Sequence, residues 1–201
     1  MEWSLDVDGI RLYGNEYTYK PAEDSLILYS RLRRILRGYS VVYDVGTGSG
    51  IISLIAGRNG VYSIGIDTIY DATLYAYKNS VLNGLDEYMD NICGDMLEML
   101  RLDLDDLLLV SNPPYLPGTY EYPCDILYIG GMGGIEVIRR LIEYFSISKA
   151  SEMYFVTSSY TDMDNIIRLS PEFKVVIEKI DEIRIMSEII YLYRVRHVSS
   201  T

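Results

Sequence analysis

The sequence is poor in the residues that metal-dependent and nucleophilic catalysis most often use. It has a single histidine, His197, and two isolated cysteines, Cys93 and Cys124, in 201 residues. Neither cysteine has the partner spacing of a zinc site or of a disulfide framework. Zinc hydrolases with several histidine ligands and Ser-His-Asp catalysis are therefore poorly supported, and we expect no metal in the site.

Basic residues and long apolar runs are also scarce. Lysine and arginine total 18 against 29 aspartate and glutamate, which gives a net charge of −11. A protein that wraps duplex nucleic acid normally has the opposite sign, because its affinity comes from neutralising phosphates. No apolar run approaches the roughly 20 residues of a membrane span, and residues 1–6 lack the features of a signal peptide. We expect a cytoplasmic protein without membrane contact, and direct nucleic-acid binding is disfavoured.

Apolar strands and helical segments alternate along the chain, over a length that corresponds to one domain. We expect an α/β fold with a seven-stranded, mostly parallel sheet and helices on both faces. The last strand should be antiparallel, because the predicted strands at 173–180 and 188–195 are joined too tightly for a crossover helix. Within a single domain, 1–201, residues 1–38 are predicted to form a hairpin and a helix that serve as a lid segment on the core sheet, 39–201.

A glycine-rich turn, Asp44–Gly50 (DVGTGSG), lies between a predicted strand and a predicted helix. Glycines in such a turn let backbone amides and the helix N-terminus approach a ligand closely. Ile51 stands where a dinucleotide fingerprint would need its third glycine or alanine, which counts against a dehydrogenase. Asp44 would repel a pyrophosphate but suits a ligand with an ammonium group, such as S-adenosylmethionine.

Acidic residues follow the next two predicted strands. Asp67 comes 19 residues after Gly48, where its carboxylate can accept hydrogen bonds from both hydroxyls of a ribose. Asp95 can accept from an adenine amino group while Met96 packs on the ring. Each aspartate alone is more often a turn residue. Together with Asp44 they indicate one crevice at the carboxyl edge of the sheet.

The fourth predicted strand, 107–111, is followed by Asn112-Pro113-Pro114-Tyr115. The two prolines restrict the backbone of this loop to extended geometry. A stiff loop of this kind presents one side-chain carbonyl and one main-chain carbonyl, which can hold the two hydrogens of a planar NH₂ group. Tyr115 can stack on the flat face of the same group. This chemistry does not distinguish an amide from the amine of a nucleobase.

Two further segments complete a family pattern. Tyr19–Ser25 (YKPAEDS) precedes the first core strand, where Asp24 or Ser25 is expected to cap a helix, and Gly130–Gly134 with Glu136 precedes a later helix. With the motifs above, these segments resemble the HemK/PrmC family of N5-glutamine methyltransferases, a branch of the class I, Rossmann-like, S-adenosylmethionine-dependent enzymes. The resemblance covers roughly residues 19–145.

The chain differs from that family in two ways. It has no room for the N-terminal helical domain of the bacterial members, so it resembles the short archaeal and eukaryotic form. That form acts on class-1 release factors and works with a small zinc-binding activator subunit, which implies a heterodimer. In addition, Met132 and a second glycine pair replace a more usual Arg-Asn-Gly stretch.

The resemblance implies transfer of a methyl group from S-adenosylmethionine to the side-chain amide nitrogen of the glutamine in the Gly-Gly-Gln motif of a release factor. The reaction would be an in-line displacement at the sulfonium methyl. Asn112, Pro113 and Tyr115 would be catalytic, and with Pro114 they would hold the glutamine. The residues implied to bind the cofactor are Glu23, Ser25, Asp44, Gly46, Gly48, Asp67, Asp95, Met96 and Asn112.

Two alternatives stay open at this point. The same chemistry can act on an exocyclic amine of adenine or guanine in RNA or DNA, and a non-catalytic cofactor-binding subunit can scaffold a partner. The sequence also predicts an interaction surface. The strand at 89–93 should be an uncovered edge of the sheet, and such an edge can pair with another protein chain. We expect the activator subunit to cover it.

Overall fold

A central sheet of seven strands organises the molecule, whose computed structural model describes residues 2–198. In chain order the strands and helices are β1 (Trp3–Val7), β2 (Ile10–Gly14), α1 (Glu23–Ile35), β3 (Val41–Val45), α2 (Ile51–Arg58), β4 (Tyr62–Asp67), α3 (Tyr70–Leu82), β5 (Met89–Cys93), β6 (Leu107–Ser111), α4 (Glu136–Ile147), β7 (Glu152–Ser158), α5 (Met163–Leu169), β8 (Val175–Ile185) and β9 (Glu188–His197). Short 3₁₀ turns cover Leu36–Gly38, Asp86–Tyr88, Pro123–Leu127 and Met132–Gly134.

The sheet has the strand order β5-β4-β3-β6-β7-β9-β8. Strands β3 to β7 pair in parallel, and β9 runs antiparallel to both β7 and β8. The predicted fold, with its reversed last strand, is confirmed. The expectation that β5 lies at an edge of the sheet is confirmed as well.

Helices cover both faces of the sheet because its strands are apolar on both sides. Successive strand residues point to opposite faces, so Val42 and Leu108 pack with α1 and α2, whereas Tyr43 and Leu109 pack with α4 and α5. All five residues of β6 are buried. The central strands are therefore rigid supports for the loops at their carboxyl ends.

The N-terminal hairpin is confirmed and is joined to the core through α3. Asp8 and Gly9 both have positive φ, 51° and 81°, as a two-residue hairpin turn requires. The side chain of Asn79 on α3 accepts from Tyr13 N at 2.9 Å and donates to Tyr13 O and Ser49 O, both at 2.9 Å. One buried amide thus holds the hairpin beside the glycine-rich turn.

No helix among residues 2–198 is long and apolar enough to cross a membrane. Met1 and residues 199–201 lie outside the described residues. They belong to the predicted domain, 1–201, and Met1 also belongs to the segment 1–6 that lacks the features of a signal peptide. The boundary at residue 38 stays a prediction.

Candidate active site

A cavity of about 420 Å³ opens at the carboxyl ends of the parallel strands. Its volume is in the usual range for small-molecule sites, roughly 300–1,000 Å³. The cavity is lined by all but one of the residues predicted for the site, namely Ser25, Asp44, Gly46, Gly48, Asp67, Asp95, Met96, Asn112, Pro113, Pro114 and Tyr115. The exception is Glu23.

The glycine-rich turn uses backbone conformations that only glycine adopts easily. Gly46, Gly48 and Gly50 have φ of 75°, 54° and 84°. The amides of Gly46 and Thr47 both donate to Ile66 O, at 2.8 and 3.0 Å, so the turn is anchored to β4. A Cβ atom at Gly46 would lie 3.8 Å from Asn112 O, in the gap between this turn and the loop after β6. Glycine keeps that gap open.

Asp44, at the end of β3, is a buried carboxyl group. Its Oδ2 accepts from Thr47 Oγ1 at 2.8 Å, Ser53 N at 3.1 Å and Ser53 Oγ at 2.9 Å. Burial raises the pKa of Asp44 to about 6, against the lowering effect of those hydrogen bonds. No hydrogen bond within the described part of the chain uses Oδ1. A ligand cation at this atom would favour the ionised form.

Asp67, the last residue of β4, contacts the glycine-rich turn. Its Oδ2 accepts from Gly48 N and its Oδ1 from Ile69 N, both at 3.0 Å. Burial raises the pKa of Asp67, and these backbone hydrogen bonds oppose the rise. The two amides orient the carboxylate at the cavity wall.

Asp95 is paired with an arginine that sequence reasoning missed. Arg140 on α4 donates from Nη1 to Asp95 Oδ1 at 3.1 Å and from Nη2 to Oδ2 at 2.9 Å, and it also lines the cavity. The hydrogen bond to Asp95 raises the pKa of Arg140. Met96 is buried, with φ of 52°. Arg140 follows Asp95 by 45 residues and lies on a different element, α4, so no local pattern indicated the pair.

The side-chain amide of Asn112 makes a hydrogen bond through its nitrogen but not through its oxygen. Its Nδ2 donates to Ser25 Oγ at 3.1 Å. Its Oδ1 is buried and has no hydrogen-bond partner among residues 2–198. A buried acceptor without a partner costs about 1–3 kcal/mol. Because Asn112 lines the cavity, a ligand NH₂ group that reaches this oxygen would satisfy it.

The glycine stretch 130–134 packs closely against the backbone of the loop after β6. Gly130 N donates to Leu116 O at 2.9 Å, and Leu116 N donates to Tyr128 O at 2.9 Å. A Cβ atom at Gly130 would overlap Pro114 O, and one at Gly134 would overlap Tyr115 O. Two backbone segments can approach this closely only because the glycines have no side chains.

The structure corrects two expectations for Tyr19–Ser25. Glu23 is exposed in the first turn of α1 and does not line the cavity, because consecutive helix residues point about 100° apart. Asp24 does line it and is 4% exposed, yet sequence reasoning placed it only as a helix cap. That assignment was wrong, since α1 has no side-chain cap. Asp24 Oδ2 instead accepts from Tyr19 Oη at 2.7 Å and Tyr115 Oη at 3.1 Å.

Comparison with known proteins finds methyltransferases both among the sequence relatives and among the structural neighbours, and these differ in the substrates that their names describe. No protein-family model matches the chain. A Methanocaldococcus jannaschii protein, provisionally named a protein N5-glutamine methyltransferase, is 30% identical over 175 residues, which are 83% of this chain and 86% of that protein. A release factor glutamine methyltransferase from Rhodospirillum rubrum is 34% identical over 105 residues, 51% of this chain and 32% of the relative. The chain thus spans about a third of that bacterial enzyme.

Among solved structures, the E. cuniculi Mtq2-Trm112 complex has a TM-score of 0.66 to this chain. That complex is described as responsible for methylation of the translation termination factor eRF1. It is 22% identical, and the match covers 90% of this chain and 98% of that one. This likeness shows the fold. The archaeal relative, matched over most of both chains, shows the family. With the predicted motifs gathered around one cavity, the chain belongs to the protein N5-glutamine methyltransferase family of class I S-adenosylmethionine-dependent enzymes.

Proposed function

We propose that this protein methylates the side-chain amide nitrogen of the glutamine in the Gly-Gly-Gln motif of a class-1 release factor. The observation that supports this most directly is the unpaired, buried Oδ1 of Asn112 in a cavity that also contains the glycine-rich turn. The names of the sequence relatives support the acceptor, because they describe glutamine methyltransferases.

The residues of the cavity fit S-adenosylmethionine. Gly46 and Gly48 leave space that a side chain would fill, and the Oδ1 atom of Asp44 is free for an ammonium group. We assign Asp67 to the ribose, and Asp95 with Met96 to the adenine. No basic side chain lies near Asp44 in the hydrogen-bond network, which suits a cofactor without phosphates.

The acceptor end requires positioning rather than proton abstraction. Bound S-adenosylmethionine supplies a methyl group on a good leaving group. Asn112 Oδ1 and the main-chain carbonyl of Pro113 would accept the two hydrogens of the glutamine NH₂, and the ring of Tyr115 would lie against its face. These contacts hold the nitrogen lone pair toward the methyl group and increase the electron density on the nitrogen. The N–C bond would form as the S–C bond breaks, S-adenosylhomocysteine would leave as a neutral thioether, and the methylated nitrogen would then lose one of its two hydrogens to water as a proton. The arrangement explains how the site can work without a histidine.

The charge of the acceptor side favours a protein over a nucleic acid. Between Arg101 and Arg139 the sequence has no lysine, arginine or histidine, and this stretch contains the whole loop from Asn112 to Gly134. Phosphates would find few cations there. A release factor substrate also leads us to propose that the protein acts in the cytoplasm.

The test is a methyl-transfer assay with S-adenosylmethionine and an archaeal-type release factor, with and without a zinc-binding activator subunit. Mass spectrometry of the Gly-Gly-Gln peptide should find one added methyl group on the glutamine. The Asn112→Ala variant should bind the cofactor but leave the peptide unmodified. If the wild type binds cofactor and leaves that glutamine unmodified while labelled methyl groups enter RNA or DNA, the acceptor is a nucleobase and the proposal fails.

We also propose that a small zinc-binding subunit covers β5. Beside this edge strand, Tyr70 and Tyr77 of α3 are 65% and 54% exposed and line a shallow groove of about 300 Å³. Asn91 on β5 lines the same groove, and both polar atoms of its side chain are buried without a partner among the described residues. Exposed aromatic rings beside an unpaired strand edge suit a protein partner.

Hydrogen exchange tests this surface. Binding of the subunit should slow amide exchange across 89–93 and leave β8, the opposite edge strand, unchanged. Equal exchange at 89–93 with and without a subunit whose binding is independently demonstrated would contradict the assignment. We further propose that residues 2–38 act with the core as one domain and close over the cavity.

A further inference from the structure

A chain of hydrogen bonds joins α1 to both ends of the loop Asn112–Tyr115. Asp24 Oδ1 accepts from Ser25 N at 2.6 Å and from Ser25 Oγ at 3.4 Å. Ser25 Oγ in turn accepts from Asn112 Nδ2 at 3.1 Å, and Asp24 Oδ2 accepts from Tyr115 Oη at 3.1 Å. One carboxylate on α1 therefore contacts the first residue of the loop through Ser25 and the last residue directly.

The direction of these hydrogen bonds decides which atom of the Asn112 amide is left without a partner in the protein. A carboxylate has acceptors only, so the Ser25 hydroxyl must point its single proton toward Asp24. The oxygen of that hydroxyl then has only lone pairs for Asn112, and it accepts from Nδ2. Consequently Oδ1, not Nδ2, is the atom of the amide that is left without a partner.

We propose that Asp24 and Ser25 are positioning residues that hold the Asn112 amide with its oxygen toward the acceptor nitrogen. Asp24 also holds the Tyr115 ring, which forms the wall of the slot. Without Asp24 the hydroxyl proton of Ser25 is free to turn to Asn112, and the amide can rotate by 180°. A rotated amide would present hydrogens to the hydrogens of the glutamine NH₂. This inference rests on the proposed function for its kinetic consequences, but the amide orientation can be measured without substrate.

The orientation of the Asn112 amide is tested by NMR on protein labelled with ¹⁵N-asparagine. The sequence has seven asparagines and therefore seven side-chain amide signals. The Asn112 signal is identified by its loss in Asn112→Asp. In the wild type its two hydrogens should exchange slowly with water and show cross-relaxation to Ser25. In Asp24→Asn and Ser25→Ala that contact should be lost and exchange should be at least about 10-fold faster, as expected for a hydrogen bond that has opened.

The kinetic test uses the same variants on the release factor. Asp24→Asn and Ser25→Ala should lower kcat by about 10- to 100-fold, the cost expected for a misplaced acceptor contact. For Asp24→Asn, the Kd for S-adenosylmethionine, measured by titration calorimetry, should change by less than about 3-fold. Ser25→Thr keeps the hydroxyl and should recover most of the activity that Ser25→Ala loses. A merely structural role for Asp24 would lower thermal stability and cofactor affinity together.

Matched controls are available outside the cavity. Ser30→Ala is the same substitution on an exposed position of α1, and Asp105→Asn is the same substitution on an exposed turn before β6. Both should behave as wild type. Unchanged amide exchange in Ser25→Ala and Asp24→Asn would overturn the proposal, and so would a fall in kcat with an unchanged Asn112 signal. If the wild type does not methylate the release factor, the proposed function fails, while the NMR result still decides the positioning role.

Discussion

The two ends of the cavity differ in how well their polar atoms are satisfied. At the cofactor end, Asp67 accepts from two backbone amides and Asp95 from both terminal nitrogens of Arg140. At the acceptor end, the Oδ1 atom of Asn112 is buried without a partner within residues 2–198. The first end consists of carboxylates already oriented by the protein, and the second contains an amide oxygen to which no described protein group donates.

This contrast indicates where the site gains binding and where it gains catalysis. Oriented carboxylates bind the unreactive parts of a ligand and are supported by the fold. An acceptor that no protein group satisfies gains a partner when the reacting amide binds, and this gain favours the productive complex. The four predictions below test the contrast.

Asn112→Ala should lower kcat strongly and the free energy of unfolding only slightly, whereas Asn79→Ala should mainly lower the free energy of unfolding. Loss of the Asn112 oxygen should lower kcat by at least about 100-fold, as for other preorganised contacts to a reacting group. The free energy of unfolding should fall by less than about 1 kcal/mol, because an unpaired buried oxygen is removed along with one hydrogen bond. Urea unfolding and steady-state kinetics measure the two effects.

Asn79 is the matched control, since its amide is fully buried and fully bonded to Tyr13 and Ser49. Its replacement by alanine leaves backbone groups of the hairpin and glycine-rich turn unpaired, and should cost about 2–4 kcal/mol of unfolding free energy. Equal destabilisation by both alanine variants would break the contrast.

Gly134→Ala should disturb the acceptor end alone. Its φ is 71° and an added Cβ would overlap Tyr115 O, so the loop Asn112–Tyr115 must shift. We expect kcat to fall by about 10- to 100-fold with little change in cofactor Kd. Gly60→Ala is the control, because Gly60 has a similar φ of 76° but nothing within 4 Å of the added atom. It should cost about 1–2 kcal/mol of stability and leave kcat unchanged.

The pH dependence of cofactor binding should report Asp44. Burial raises its pKa from 3.8 to about 6 in the protein without ligand. The stability that this group contributes is thus fully present below pH 3.8 and is lost as pH rises through about 6. An ammonium group at Oδ1 favours the ionised form, so affinity for S-adenosylmethionine should rise about 10-fold between pH 5 and pH 7.

Calorimetry in buffers of different ionisation enthalpy should detect proton release on binding near pH 5. Asp44→Asn should bind more weakly and lose most of this pH dependence, and any remainder would be assigned to Asp67, whose pKa burial also raises. A full 10-fold dependence in the variant would exclude Asp44 as its source.

Arg140→Ala should have the smallest effect. The pair of Arg140 and Asp95 is partly exposed, with side chains 39% and 51% accessible, and such pairs contribute about 0–1 kcal/mol. We expect cofactor Kd to rise by only about 2- to 3-fold, because Asp95 keeps its place on the backbone. Arg139→Ala, which breaks the exposed pair with Glu143 on the same helix, should leave Kd unchanged. A large loss for Arg140→Ala would show that the pair, not the strand end, orients Asp95.

Much of the fold could be predicted because it depends on local pattern. The predicted bounds of β5 and β6 agree with the structure, since each is a short strand between turn residues. The end of β8 was missed: it was predicted at 180 and lies at Ile185. Residues 178–184 are rich in charge, and an edge strand exposes them to water, so the apolar signal of a strand is absent there.

The site could be predicted where one motif is enough. Asp44 to Gly50, Asp67 and Asn112–Tyr115 each follow a strand, and parallel strands bring their carboxyl ends together. Asp24 was missed because its proposed role depends on hydrogen bonds from Tyr19, which precedes α1, and from Tyr115, which is 91 residues away on another loop. The support that 130–134 gives to the same loop was missed for a similar reason.

The sequence by itself determined the order of the strands and helices, the turns that need glycine, and the residues placed at the strand ends. Those features follow from backbone preferences and periodicity over a few residues. Only the tertiary structure decided that Glu23 faces solvent while Asp24 enters the cavity, that Arg140 pairs with Asp95, and which atom of the Asn112 amide has no partner among the described residues. These outcomes depend on contacts between segments far apart in the chain, and such contacts exist only after the core has packed.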